Sequence, residues 1–526
     1  MKSILYLLPF LLYIIIISKK NLHILQQHFY NENNRYIKWG IKKWNEVFKI
    51  QDIIMLIING INLYIRNKIV LGLNIIYILF FILEKKEQEK EQVKIPLKVT
   101  ARVKRLIGSL IIIYFIPTII YIITKDSYLN IFLLSLMTSI NYLVIEISNI
   151  INRPIEKYVF YYYKKSAMNK VKDMKNLEVI GITGSYGKTS SKNILNDILN
   201  VKFNALATPK NYNTQYGLIL TINNLLNKFH DIFIAEMGAF KMGRIKLLCK
   251  LVRPKYGIIT KIGEAHLETF GSRENVQKGK FELIEALPSD GLAILNKDDE
   301  MQTSYKLKNN VKVIWIGIEN KSADIYAENI KMDSKGMHFD VVFKSTNEKH
   351  KFTTKLLGIP NVYNILAGIA FGKYKNMTLQ ELDMGVKRIN SIEHRLELKE
   401  LGELNIIDDA YNSNPVGSKM ALDVLKLMKG KKVVVTPGMI ELGTEEYELN
   451  KQFGKYISKV ADYVILVGKA QTKPILDGLQ EEKYDEHKIS VINDVKKAFD
   501  IARELKEEKE DIYVLLENDL PDIFNE

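Results

Sequence analysis

The chain has 526 residues, enough for about three domains. Its net charge is +15, and the whole excess lies in the first third: residues 1–176 hold 26 Lys and Arg against 11 Asp and Glu, while the remainder is balanced at 49 of each. That basic third is also the apolar third, which argues against a nucleic-acid partner; the single cysteine, Cys249, excludes a disulfide framework or a Cys-based metal site and fits a reducing cytosol for the soluble part.

Four apolar stretches precede Asn152. Residues 4–17 are short, contain Pro9 and run into Ser18-Lys19-Lys20-Asn21 with no small-residue cleavage pattern, so they read as an uncleaved anchor. Residues 53–83 are interrupted by Arg66-Asn67-Lys68 and read as a hairpin or re-entrant pair. Residues 106–124 and 129–151 each approach the roughly 20 residues that a bilayer core requires. The sequence therefore predicts a membrane region over 1–151 with four or five spans, then a juxtamembrane linker over 152–176. The Lys/Arg-rich segments 19–49, 85–105 and 153–175 orient it as a multi-pass protein of the cell membrane, with the lipid bilayer as partner and the soluble part cytoplasmic. Tyr161-Tyr162-Tyr163-Lys164-Lys165 reads as an interfacial aromatic and basic collar.

A short apolar segment, 177–180, leads into Gly181-Ile182-Thr183-Gly184-Ser185-Tyr186-Gly187-Lys188-Thr189-Ser190, and a helical pattern follows over 188–199. Strand, glycine loop, Lys-Thr and helix are the layout of a phosphate-binding loop. Backbone N–H groups and a helix N-terminus face the phosphates, the lysine neutralises charge and the hydroxyl reaches Mg²⁺. The common pattern places glycine at 182, where this chain has Ile182; the form here is Thr-Gly-x-x-Gly-Lys-Thr-Ser.

Beyond the loop, β-rich runs at 231–235, 256–260, 292–295, 311–316, 432–436 and 463–467 alternate with helical patterns, which predicts an α/β sheet covered by helices, with ligands at the carboxyl ends of its strands. Glu236 follows one such run and fits a Mg²⁺ ligand or a solvated strand-end glutamate equally well. His266 lies just past another, where a lone histidine is more often structural; Lys280 sits on a helix where lysine is ordinarily solvated. Asn296-Lys297-Asp298-Asp299 suits a helix cap better than a nucleotide contact. His394-Arg395 precedes the run 404–407, after which Asp408-Asp409-Ala410-Tyr411-Asn412-Ser413-Asn414-Pro415 packs polar and aromatic groups into one loop, either a turn or a site.

Together with Asn211-Tyr212-Asn213, Phe270-Gly271-Ser272, Leu357-Gly358, Asn361 and Asn364, these segments resemble the Mur ligase family of ATP-dependent amide ligases, above all its D-alanyl-D-alanine-adding, MurF-type branch, from about residue 177 onward. The Asp408 to Pro415 segment is the one most particular to that branch. After the N-terminal transmembrane helices read from the apolar stretches, the resemblance implies a central P-loop α/β domain over 177–390 and a C-terminal Rossmann-like α/β domain over 391–526. It implies a mechanism in which Mg·ATP phosphorylates a carboxylate and an amine displaces the phosphate. By resemblance, Thr183 to Ser190, Asn296, Asn361, Arg395 and Asp409 face ATP, with Lys188 on the β- and γ-phosphates. Thr189 and Glu236 would hold one Mg²⁺ and His266 a second. Lys280 matches the lysine that CO₂ carbamylates, which turns a cation into an anionic metal ligand; Lys188, His266 and Lys280 would be catalytic. Asn213, Tyr411, Asn412 and Asn414 would face substrate, and the implied partners are UDP-muramoyl peptide and D-Ala-D-Ala.

The chain departs from the family at three places. Apolar stretches stand where MurF-type enzymes carry a UDP-sugar domain, Pro360-Asn361 replaces His-Asn, and Glu517-Asn518-Asp519-Leu520-Pro521-Asp522 stands where a lysine and Gly-Ser-Arg are usual. Two other readings accompany the first: a ligase for another surface polymer, such as a poly-γ-glutamate-type chain, and an ATP-driven transporter. No Leu-Ser-Gly-Gly-Gln-like signature supports the transporter.

Overall fold

The computed structural model describes residues 7–90, 96–263, 267–333, 335–410, 414–440, 442–507 and 510–518. Contacts divide the chain after Tyr162 into two units.

The first unit is helical: α1 (Leu7–Gln27), α2 (Ile50–Ile65), α3 (Ile76–Lys90), α4 (Ala101–Thr124), α5 (Ser127–Ser139) and the beginning of α6 (Asn141–Asp173), with shorter turns between α1 and α3. The Thr100 side chain accepts the Val103 N–H to start α4, and Asp126 accepts the N–H groups of Tyr128 and Leu129 to start α5. A polar seam crosses the apolar interior. Asn141 Nδ2 donates to Ser18 Oγ (2.8 Å) and Tyr114 Oη (2.7 Å), and Glu146 accepts from Asn31 (2.8 Å) and Arg153 (2.8 Å).

The membrane expectation changes in three respects. Among the described residues, two helices, α1 and α4, are long and apolar enough to cross a membrane, or three spans result if the bent pair α5–α6 is one; four or five spans are not found. The stretch 53–83 breaks at Arg66, which takes a left-handed φ of 57°, and at Asn67, whose side chain caps the next turn, so α2 has only 16 residues. The stretch 129–151 is bent by 83° beside Ile140. Finally, residues 152–173 are helical: the segment carries no glycine, and α6 runs on to Asp173 with Pro154 inside it.

The second unit holds two sheets. Nine strands build the first: β1 (Glu178–Thr183), β2 (Ala205–Ala207), β3 (Ile232–Glu236), β4 (Tyr256–Ile259), β5 (Leu292–Asn296), β6 (Lys312–Gly317), β7 (Ile325–Asp333), β8 (Gly336–Phe343) and β9 (Glu348–Thr354). Their order is β2-β3-β1-β4-β5-β6-β7-β8-β9, parallel as far as β7 and antiparallel through β8 and β9. The β-branched runs of β1 and β3 are buried on both faces, as a covered parallel sheet requires. Helices α7 (Lys188–Leu199), α8 (Gln215–Asn224), α9 (Arg273–Glu285) and α10 (Ile359–Tyr374) lie in the same part of the chain. Ile194 and Ile198 of α7 join Ile180, Ile182, Ile365 and Ile369 in the core, each contributing roughly 1.5–3 kcal/mol on burial.

The second sheet is built from β10 (Glu397–Leu401), β11 (Leu404–Asp409), β12 (Lys431–Thr436), β13 (Tyr463–Val467), β14 (Ile489–Ile492) and β15 (Ile512–Glu517), in the order β10-β11-β15-β12-β13-β14. All of its pairings are parallel except β10 with β11. Such a mostly parallel sheet agrees with the α/β expectation.

Candidate active site

Strand β1 sits between β3 and β4, so the loop that leaves its carboxyl end opens where the strand order turns back on itself, the usual crevice of such sheets. The loop is fixed from below. The N–H of Ser185 donates to Lys261 O (2.7 Å), Ser185 Oγ exchanges hydrogen bonds with the Gly263 backbone (3.0 Å each way), and Thr260 Oγ1 donates to Tyr186 O (2.6 Å). A Cβ at Gly184 would meet Thr260 Oγ1 at 2.0 Å, and Gly187 adopts φ 79° where α7 begins. Both positions thus require glycine, for space and for left-handed backbone respectively.

Lys188 curls over this loop and donates to Gly184 O (2.9 Å) and Ser185 O (3.0 Å). Enclosure pushes its ammonium down to about 8, opposed by Glu236 and aided by the Arg395 charge. One residue on, Thr189 Oγ1 donates to Glu236 Oε1 (3.2 Å), and Asn213 Nδ2 donates to the same oxygen (3.0 Å). The fully buried Lys192 faces Glu236 Oε2 at 3.2 Å and also donates to Lys210 O. Lys280 of α9 is buried too: its Nζ donates to Ala239 O (3.3 Å) and lies 5.5 Å from the centre of the Phe270 ring. Burial, then the neighbouring Lys188 charge, pushes Lys280 down to about 7.

Glu236 is 1% exposed, yet its Oε2 accepts no hydrogen bond. A buried carboxylate with one oxygen on a threonine hydroxyl and the other facing only an ammonium charge is a hard-oxygen donor set that fits Mg²⁺. Around it, cations outnumber carboxylates, which fits a polyanion.

In the C-terminal sheet, Asp408 is buried and accepts from His394 Nδ1 (2.8 Å), Lys399 Nζ (2.8 Å) and the Ala410 N–H (3.3 Å). Burial raises its carboxyl, but these bonds outweigh burial and the net direction is down. Asp409 accepts the Leu396 N–H (3.1 Å); burial pushes it up to about 6 against the pull of Arg395.

The sequence matches the family described as Mur ligase middle domain over residues 182–372, and that described as Mur ligase, glutamate ligase domain, over 394–516, together more than half of the chain. The chain belongs to the Mur ligase family. UDP-N-acetylmuramoyl-tripeptide–D-alanyl-D-alanine ligase of Bacillus subtilis (strain 168) is 33% identical over 296 residues, which are 55% of this chain and 63% of that one. The MurF ligase of Thermotoga maritima in complex with ADP superposes with a TM-score of 0.60 at 26% identity, covering 68% of this chain and 80% of that one. MurF of Acinetobacter baumannii shares the fold at 24% identity, with a TM-score of 0.61 and coverage of 68% and 77%. The chain thus spans less than two thirds of the length of the Bacillus relative.

Within this Mur ligase core the structure sorts the expected site residues. Lys188, Thr189, Asn213, Glu236 and Lys280 converge beside the loop, with Ser190 buried on α7 and Tyr186 packed against Gly263. Thr183 turns away, its hydroxyl donating to Met237 O (2.9 Å). Asn296 accepts the Asp298 N–H (2.9 Å) and is locally satisfied, while Asp299 is the residue that caps the next helix. Asn361 donates to Leu357 O (2.8 Å) at the start of α10. Asn414 is the N-cap of the helix Pro415–Lys426, its side chain taken by the Gly417 N–H, a structural role that the substrate expectation did not foresee. His266, Tyr411 and Asn412 lie outside the described residues. Asn364, quoted for the resemblance without a role, approaches Gly187, to within 3.6 Å of where a Cβ there would stand; Lys192, which neutralises Glu236, was not anticipated. Only the spacing of Lys192, four residues after Lys188 and so on the same helix face, signals it in the sequence.

Proposed function

We propose that the chain is an ATP-dependent carboxylate–amine ligase that adds D-alanyl-D-alanine to UDP-N-acetylmuramoyl-tripeptide. The observation that carries this reading is the loop-side pair Lys188 and Lys192 about one buried carboxylate, Glu236, with Lys280 buried within reach of the Lys188 charge. A carboxylate oxygen of the tripeptide attacks the γ-phosphorus and ADP leaves. The amine nitrogen of the dipeptide then attacks the acyl carbon, phosphate departs with the C–O bonding pair, and the nitrogen loses a proton.

In this reading Lys188 releases the loop carbonyls when ATP binds and is then held on the phosphates, so its charge is already in place when negative charge builds on the transferred phosphoryl group. Thr189 and Glu236 would hold Mg²⁺, which supplies charge neutralisation on the phosphates. Lys280 is kept near neutrality by burial, and a neutral amine is the form that adds CO₂ and loses a proton to become a carbamate. Arg395 and Asp409 of the C-terminal domain would meet the nucleotide; the electrostatic reach of Arg395 to Lys188 supports that placement. Residues 177–390 and 391–526 are read as the two ligase domains. We read α1 and α4 as membrane spans with the ligase core cytoplasmic, on the strength of their length and apolar composition. The same two helices favour a second reading, identical chemistry on a membrane-borne surface polymer.

Phosphate release from ATP and Mg²⁺ by the detergent-purified chain is the test. Release that needs both UDP-muramoyl-tripeptide and D-Ala-D-Ala is expected. Release with neither would replace the reading by a transporter, and activity only with glutamate or a lipid-linked acceptor would favour the polymer ligase.

A further inference from the structure

Lys192 has no part in the chemistry just described, yet it is placed at a cost. It stands one turn after Lys188 on the same face of α7, where like charges repel, and its side chain is fully buried. A lysine in that position needs an anion, and the one it faces is Glu236, at 3.2 Å and itself 1% exposed. The two oxygens of that carboxylate are used differently. Oε1 is filled by hydrogen bonds from Thr189 and Asn213, whereas Oε2 has Lys192 as its ion-pair partner at 3.2 Å, with the Lys188 charge acting on the same carboxylate.

We infer that Lys192 is a positioning residue, the resident counter-ion of Glu236, which occupies the electrostatic place of a divalent cation so that the cation enters with the nucleotide and not before it. This inference rests on the reading of Thr189 and Glu236 as the Mg²⁺ side of an ATP site. A buried carboxylate left without a cation is strongly unfavourable, so a site of this kind needs a substitute whenever it is empty. Lysine suits the task because its compact charge sits on a flexible stem and is released without breaking a bidentate fork. Its second contact, the Lys210 carbonyl oxygen, gives the ammonium somewhere to stay when Glu236 turns to a metal. Lys210 itself holds a left-handed φ of 47° in the segment that leads to Asn213, so the same ammonium also braces the loop that feeds Glu236.

The repulsion between Lys192 and a divalent cation weakens metal binding to the nucleotide-free protein, and the negative charge of a triphosphate reverses the balance. Titration of the full-length, detergent-purified chain with Mn²⁺ at pH 8, followed by electron paramagnetic resonance, tests this. Without nucleotide, K192M and K192Q should bind Mn²⁺ roughly tenfold more tightly than the unmodified chain, and K192R should match it. K192Q keeps a donor for Lys210 O, so tightening in that variant reports charge and not a loosened loop. A merely structural lysine would leave metal affinity unchanged or lower it. The unmodified chain supplies an arm that needs no variant: its Mn²⁺ affinity should rise at least about tenfold when a non-hydrolysable ATP analogue is added. Equal affinity with and without the analogue overturns the inference, as does K192Q binding no tighter than the unmodified chain. If E236Q leaves Mn²⁺ affinity unchanged in the presence of the analogue, the metal-site reading itself falls; if E236Q weakens it there but K192Q fails to tighten binding to the nucleotide-free protein, only the role of Lys192 falls.

Discussion

Charge is handled in opposite ways in the two sheets of the second unit. Beside the phosphate loop, Lys188 and Lys192 gather around Glu236 while Lys280 feels the Lys188 charge, and both Lys188 and Lys280 are driven toward neutrality. At the end of β11, Asp408 is met by His394, Lys399 and a backbone N–H, and its carboxyl is held below the usual range. The first cluster is undercompensated and the second is satisfied. Groups that the fold leaves unmatched are held for a ligand, whereas matched groups hold the fold together.

Four measurements would break or sharpen that contrast. K188M should lower ATP-dependent turnover by roughly 10³-fold with little change in melting temperature, because the loss falls on transition-state charge. K280A should cost on the order of 10²-fold, with partial rescue by added short carboxylates; full activity in K280A would remove the carbamate role. D408N is the opposite case: a drop of about 2 kcal/mol in stability, read as a lower melting temperature, while nucleotide binding persists. The smallest effect concerns pH. The unfolded lysine titrates near 10.5 and the folded Lys280 near 7. Between those values the unfolded state holds a proton that the folded state lacks, so the stability of the nucleotide-free protein should rise with pH across that window and flatten below 7. Lys280 contributes at most about 1.4 kcal/mol per unit to that slope; K280M should remove it between about 7 and 8 and reduce it above 8, where Lys188 contributes as well.

Much of this was legible in the sequence. Strands β3, β4, β5, β6, β12 and β13 lie within a residue of their expected positions, because buried β-branched runs bounded by turn residues leave little choice, whereas β1 runs three residues further than expected, into the start of the glycine loop. The loop was legible because glycine and lysine at fixed spacing have few other uses. Lys192 was not, since a helical lysine reads as solvated until its partner is brought in from β3 by the fold. The helical course of 152–173 and the 83° bend beside Ile140 were missed for complementary reasons: Pro154 fails to end a helix where one was expected to end, and no glycine or proline marks the bend.

The hydrogen bonds from Lys188 to the carbonyls of Gly184 and Ser185 carry a consequence for selectivity. An arriving ligand does not add to an open cradle; it exchanges with an internal tenant. A triphosphate replaces both lost bonds with stronger, charge-assisted ones, whereas adenosine has nothing to offer the displaced ammonium and would leave it stranded. Discrimination against uncharged nucleosides is therefore exerted at the loop before the base is ever read, and the empty protein keeps its loop in shape while it waits.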